Sequence, residues 1–197
     1  MIKKKPQEWL KVTKNGLFVV PGNFFIDPNI ASDMAVVTHA HADHARSGHK
    51  KVIATPETLE IMKVRFGEAF SRSPYGLEYG RKLVVNDVTI WLAPAGHVLG
   101  SSQIVIEHEG ARVVVSGDYK RQRDPTCCPF VAVTCDVFIT EATFGLPVFN
   151  HPKAVLEIKK LLNSIDLFTD RCHVAVSYTH LRAHETSLHL VCRLLLE

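Results

Sequence analysis

Apolar residues in this chain gather in short runs closed by glycine, proline or acidic positions, a pattern of strands more than of long helices. Leu17 to Val20 and Phe24 to Ile26 read as two strands joined across Pro21-Gly22-Asn23, with Gly22 expected at positive φ. The apolar run Met34 to Val37 reads as a buried strand, and Lys51 to Ala54 as another. Thr55-Pro56-Glu57 opens a helix reaching about Arg65, with Pro56 in its first turn and Leu59, Ile61, Met62 and Val64 partly inward. Two hairpins follow: Lys82 to Val85 with Val88 to Leu92 across Asn86-Asp87, and Gln103 to Glu107 with Arg112 to Val115 around Glu109-Gly110. Val137 to Thr140 is a last strand, and from His151 the spacing of Val155, Ile158, Leu161, Leu162 and Ile165 is helical.

The chemistry stands at the ends of these strands, where loops let side chains converge. After Met34 to Val37 comes Thr38-His39-Ala40-His41-Ala42-Asp43-His44. In extended chain, residues two apart share a face, so His39 and His41 can grip one ion, while Asp43 and His44, where the chain is expected to turn into a helix, point to a second position. Imidazoles and a carboxylate without a thiolate suit zinc, with manganese or iron as alternatives, and argue against a closed cysteine site. A surface histidine-rich loop is the plainer reading of the same residues. Other strand ends carry Asp27, His97, Asp118 and Glu141. Taken singly, Asp27 and Asp118 suit turns, a lone histidine such as His97 suits core or surface, and Glu141 suits a capping acid.

Together these motifs resemble the metallo-β-lactamase superfamily, whose signature is His-x-His-x-Asp-His. Ala95-Gly96-His97-Val98-Leu99-Gly100-Ser101 resembles its next metal motif, with glycines that let the backbone pass close to the site. Glu141-Ala142-Thr143-Phe144-Gly145 resembles the first motif of the β-CASP nucleases. Gly117-Asp118-Tyr119-Lys120, Asp124-Pro125-Thr126-Cys127 and Thr140 to Pro147 are similar to the bacterial ligase-associated DNA exonucleases, over about Leu10 to Phe149.

The resemblance implies an α/β fold, the αββα sandwich of the superfamily. Its first half would occupy residues 1–146, and 147–175 would begin a β-CASP cap domain. Half a sandwich is expected to leave an apolar sheet face and strand edges without cover, so that the 197-residue chain aggregates and shows no nuclease activity by itself. The same resemblance implies two divalent metal ions, zinc or manganese, with His39, His41 and His97 on one, Asp43 and His44 on the other, and Asp118 bridging. Asp27 would orient the metal-binding loop. Asp43, Asp118, Glu141 and Asp27 would form the catalytic set, with Glu141 orienting a general-acid histidine beyond residue 175. The implied reaction is hydrolysis of nucleic acid, at DNA ends during repair and in association with a DNA ligase or helicase. An RNA-processing nuclease of the same branch, a small-molecule metallo-hydrolase and a non-enzymatic binding module are the competing readings.

Composition adds exclusions. At 46% hydrophobic and 22% charged, the 197 residues are those of an ordinary globular chain, and the net charge of +3 does not by itself argue for a polyanionic partner. No apolar run approaches membrane-span length, and Met1-Ile2-Lys3-Lys4-Lys5-Pro6 lacks a signal-peptide core, so a cytoplasmic protein without a membrane partner is expected. Five cysteines without a C-x-x-C pair suit a reducing compartment. Residues 176–197 match the translation of a transposon-end sequencing adapter. Val176 to Thr186 corresponds to one end and Leu190 to Glu197 to the other, so this tail is expected to be an artefact whose histidines are not ligands.

Overall fold

The computed structural model describes residues 5–143 and 152–167. Chain contacts divide it into two units, Met1–Glu141 and Ala142–Glu197. The first contains α1 (Pro6–Trp9), β1 (Leu10–Thr13), β2 (Gly16–Val19), β3 (Phe24–Ile26), β4 (Met34–Val36), β5 (His49–Ala54), α2 (Pro56–Phe66), β6 (Ser71–Gly76), β7 (Leu83–Val85), β8 (Val88–Pro94), β9 (Ser102–His108), β10 (Ala111–Val115) and β11 (Val137–Ile139). The second contains α3 (Ala154–Leu167), the helix expected from the apolar spacing after His151.

Two mixed sheets result, one ordered β1-β2-β3-β4-β5-β6 and the other β11-β10-β9-β8-β7. Strands β3 to β6 are parallel, so their carboxyl ends share one side of the first sheet. In the second sheet β8 and β10 both run antiparallel to β9, and β11 is parallel to β10, so these three also end together. The two sets of ends meet where the Ser102 N–H donates to the Thr38 carbonyl at 2.8 Å. Every strand-end motif of the sequence therefore arrives at one rim.

Period-two alternation decides which side chains fill which layer. Val36 and Ile53 point between the sheets with Phe24, Ile90, Leu92, Ile104, Ile106 and Val113, all buried. Their neighbours Ala35, Val37, Val52 and Ala54 point outward against Leu59 and Met62 of α2. Truncating a residue of the inner layer, as in Ile53→Ala, is expected to cost roughly 2–5 kcal/mol. Thr55 caps α2 by accepting from the Thr58 N–H at 3.2 Å, and Pro56 follows in the first turn, as expected. This is an α/β structure with a helix outside the first sheet, consistent with part of an αββα sandwich.

Several expectations need correction. The inner sheet faces are not bare, because the sheets cover one another; open strand edges, also expected, are found among the described residues, such as β11 with its 41% exposed Phe138. The turn after β2 puts Asn23, not Gly22, at positive φ (53°). Gly22 is needed for space, since a Cβ there would lie 2.3 Å from the Phe24 ring. Val64 is 85% exposed because the apolar face of α2 is narrower than its composition suggests. No helix follows the histidine cluster: His44 N–H and Ala45 N–H both donate to the His41 carbonyl, which makes a single turn. Strands β1 and β6 were not legible, as Lys11, Thr13, Ser71 and Pro74 break any apolar run.

Among the described residues no helix is long and apolar enough to cross a membrane. Phe144, Gly145, Pro147, His151, His173, Cys172, Cys192 and the tail 176–197 lie outside the described residues.

Candidate metal centre

The rim is organised by Asp27. It follows β3 directly with φ 41°, a left-handed conformation that aspartate tolerates better than most residues. Its carboxylate accepts from the Thr38 N–H at 2.8 Å and the Thr38 hydroxyl at 2.6 Å, and stands 2.8 Å from His44 Nδ1. The Thr38 hydroxyl, its proton given to Asp27, can accept from His39 Nδ1 at 3.0 Å. That tautomer leaves His39 Nε2 as a bare lone pair facing the cluster. From the other side, Arg65 of α2 donates to the Ala40 carbonyl.

His97 is brought in by a turn closed by Ser101, whose hydroxyl accepts from the His97 and Val98 N–H groups, both at 3.1 Å. Gly96, at φ 72°, is required by close approach, because a Cβ would lie 2.4 Å from the Lys120 carbonyl. Asp118 follows β10 after Gly117, where a Cβ would meet the Thr38 side chain at 2.7 Å. Both glycines thus allow strand-end loops to touch.

One ligand atom each from His39, His41, His97 and Asp118 lies within 4.8 Å of the others. His41 Nδ1 is 3.0 Å from His39 Nε2 and 3.2 Å from His97 Nε2, and Asp118 Oδ2 is 3.8 and 3.7 Å from those two. A tetrahedral ion with metal–nitrogen distances of 2.0–2.1 Å needs ligand atoms about 3.3 Å apart, so the set fits a cation. Three imidazole nitrogens turned on one point cannot satisfy one another with protons alone.

The second position is looser. His44 Nε2 is 3.3 Å from Asp118 Oδ1, the oxygen not directed at the first cluster, and 3.9 Å from Asp43 Oδ2. The Asp43 side chain is 77% exposed. Glu141 stands apart from both: its Oε1 accepts from the Tyr119 N–H at 2.9 Å, holding the peptide that follows Asp118.

Electrostatics separates the two positions. Burial, reinforced by His44 and His41, pushes His39 well below the ordinary imidazole value, and burial with His97 lowers His41. Burial also disfavours the charged form of His44, but hydrogen bonds to Asp118 and Asp27 outweigh it and push its value up to about 10. The same hydrogen bond from His44 holds Asp118 below the usual carboxylate range.

No family model matches the chain. Among curated proteins, it is 28% identical over 171 residues to a protein of Opitutus terrae described as a probable DNA ligase, an alignment covering 86% of this chain and 16% of that one. It is 36% identical over 189 residues to an endoribonuclease of Emericella nidulans, covering 77% of this chain and 21% of the relative. A ribonuclease of Thermus thermophilus is 29% identical over 147 residues, with 62% of this chain and 34% of the relative covered. The chain belongs to the metallo-β-lactamase superfamily, in its β-CASP branch. It spans roughly a sixth to a third of the length of these relatives.

For a metallo-β-lactamase chain, the informative omissions from the sequence reading are Thr38, Ser101 and Arg65, which touch the motif through hydroxyls or backbone. Thr38 had a signal, its place between a strand and the first histidine. Ser101 stood at the end of the stretch resembling the second metal motif, and Arg65 had no signal. Of the remaining histidines, His49 is buried with Nδ1 near the Ser32 N–H and hydroxyl, and His108 packs edge-on against Trp9.

Proposed function

We propose that this chain carries the metal-holding part of a nuclease that hydrolyses phosphodiester bonds, acting at DNA ends. The observation that carries the reading is the convergence of His39 Nε2, His41 Nδ1, His97 Nε2 and Asp118 Oδ2 at one rim, in a chain whose curated relatives include nucleases. His39, His41, His97 and Asp118 would hold one divalent ion, and His44, Asp43 and the second oxygen of Asp118 another. Bound there, such ions supply Lewis acidity and make water acidic enough to act as a nucleophile near neutral pH.

The chain's own residues prepare that chemistry. Burial keeps His39 neutral, the form in which imidazole ligates. Asp27 holds His44 Nδ1, so that Nε2 is the atom turned to the site. Glu141 fixes the Asp118–Tyr119 peptide from outside the cluster, which suits a positioning part in turnover better than ligation. The His97 and Asp118 side chains, 26% and 28% exposed, leave the rim open to a long polymer.

A second reading, cleavage of RNA, is favoured by the two relatives named as ribonucleases. The DNA reading is favoured by the relative described as a ligase and by Gly117 to Lys120. Assay of a version extended to the length of the relatives, with added zinc or manganese, on matched DNA and RNA strands separates them. Cleavage of DNA supports the proposal, and cleavage of RNA alone overturns its choice of substrate. Purified protein that takes up no divalent metal overturns the nuclease reading.

A further inference from the structure

The loop leaving Asp118 carries Lys120, Arg121 and Arg123, and a run of this kind is usually a solvated face. Three features set this one apart. First, it is pinned: the Lys120 N–H donates to the Ala95 carbonyl at 3.0 Å, Gly96 abuts the Lys120 carbonyl, and the Tyr119 ring packs on Phe130 at 5.3 Å. Second, its carboxylate is already engaged. Asp124 accepts from Lys120 Nζ at 3.0 Å, from the Thr126 N–H at 3.0 Å and from the Thr126 hydroxyl at 2.6 Å. Third, Arg121 and Arg123 are exposed and, among the described residues, neither guanidinium has a side-chain partner.

Two exposed guanidinium groups, without a side-chain partner among the described residues, on a fixed loop leading out of the candidate metal centre are placed to meet an anion. Arg121 follows Asp118 by three residues, so their Cα atoms are at most about 11 Å apart. Guanidinium groups recognise phosphate by paired parallel hydrogen bonds, and remain charged at any working pH. Resting on the nuclease reading above, we propose that Arg121 and Arg123 form a phosphate-gripping strip that holds neighbouring phosphates of the strand whose scissile bond lies at the metal cluster. They are positioning residues, and do not touch the reacting atoms. Lys120, held by Asp124, shapes the loop.

The test uses the whole chain loaded with zinc and a fluorescein-labelled single-stranded DNA oligonucleotide, with anisotropy read across a salt series. The double variant Arg121→Gln/Arg123→Gln should bind at least about tenfold more weakly at low salt. Two lost phosphate contacts should also flatten the log K against log salt slope by about 1.4. Lys50→Gln/Arg72→Gln removes the same charge near the amino ends of β5 and β6, opposite the rim, and should leave the slope unchanged. Metal content and melting temperature, measured on every variant, should stay at wild-type values. Equal affinity and slope in the arginine variant and wild type overturn the strip while leaving the nuclease reading standing. An equal loss in the control variant also overturns it, since general charge would then suffice. Failure of the metal-loaded wild type to bind the oligonucleotide overturns both readings.

Discussion

His39 and His44 are five residues apart, with ring centroids 4.3 Å from one another, yet their proton affinities are moved in opposite directions. His39 is wholly buried and surrounded by other imidazoles, so burial and the neighbouring His44 and His41 disfavour its charged form more than Asp118, 3.8 Å away, can favour it. His44 lies between Asp27 and Asp118, which stabilise an imidazolium. The inner position thus joins imidazoles, two of them held toward the neutral form, to one carboxylate oxygen, and the outer one is a carboxylate pair around a group that can already be a cation. The inner site should accept metal readily, whereas the outer must lose a proton to do so.

Removing an inner donor should break this contrast most strongly. In a version extended to the length of its relatives, His41→Ala or Asp118→Ala is expected to abolish cleavage and weaken metal binding by more than roughly 100-fold, the upper range for losing a mere supporting partner. Metal analysis and a nuclease assay read both, and wild-type values in either variant would remove the site assignment. Glu141→Gln should lower turnover by roughly 100-fold through lost positioning while bound metal stays unchanged. Metal lost along with turnover would make Glu141 part of the donor set instead.

Asp27→Asn acts on the outer half. The amide cannot charge-stabilise His44, so metal affinity there should fall about 10–100-fold, with about 2 kcal/mol of stability lost with a charged hydrogen-bond acceptor. A two-step metal titration with its weaker step shifted more than the stronger is the expected pattern, because Asp27 reaches His39 only through Thr38; an equal shift in both would dissolve the distinction.

The pH dependence of the metal-free form sharpens the same point. The folded value of His44 lies above its ordinary 6.5, so protonation favours the fold; that stabilisation is complete below pH 6.5 and is lost as pH rises through about 10. Melting temperature in chelator should therefore fall between pH 7 and 10, and fall less in Asp27→Asn. Identical pH profiles would show that His44 is not held by Asp27. The smallest effect is expected away from the rim: His49→Ala and His108→Ala should leave metal stoichiometry intact, and an ion lost from either would mean the centre is misplaced.

Much of this was legible in one dimension. The apolar runs of β4, β8, β10 and β11 are bracketed by residues that cannot continue a strand, and the groups after them are of types that bind metal. Short-range rules therefore located each strand end, and the family resemblance attached chemistry to the residues there; His39 and His41 lie beyond β4, where the chain bends, and not in the extended segment expected. Strands β1 and β6 escaped because edge strands, half in solvent, need no apolar run.

What the sequence could not determine is who meets whom. Asp27 lies eleven residues before Thr38, and Arg65 twenty-five after Ala40, yet both hold the same loop. Arg65 meets a backbone carbonyl, and Asp27 a backbone N–H and a hydroxyl besides His44, groups that mostly leave no pattern in side-chain type, so that only the family resemblance pointed to Asp27. The opposite protonation of His39 and His44 is likewise invisible in their shared identity. It arises from burial and from the carboxylates that the folded sheets bring alongside, and local rules carry no information about distances closed across the chain.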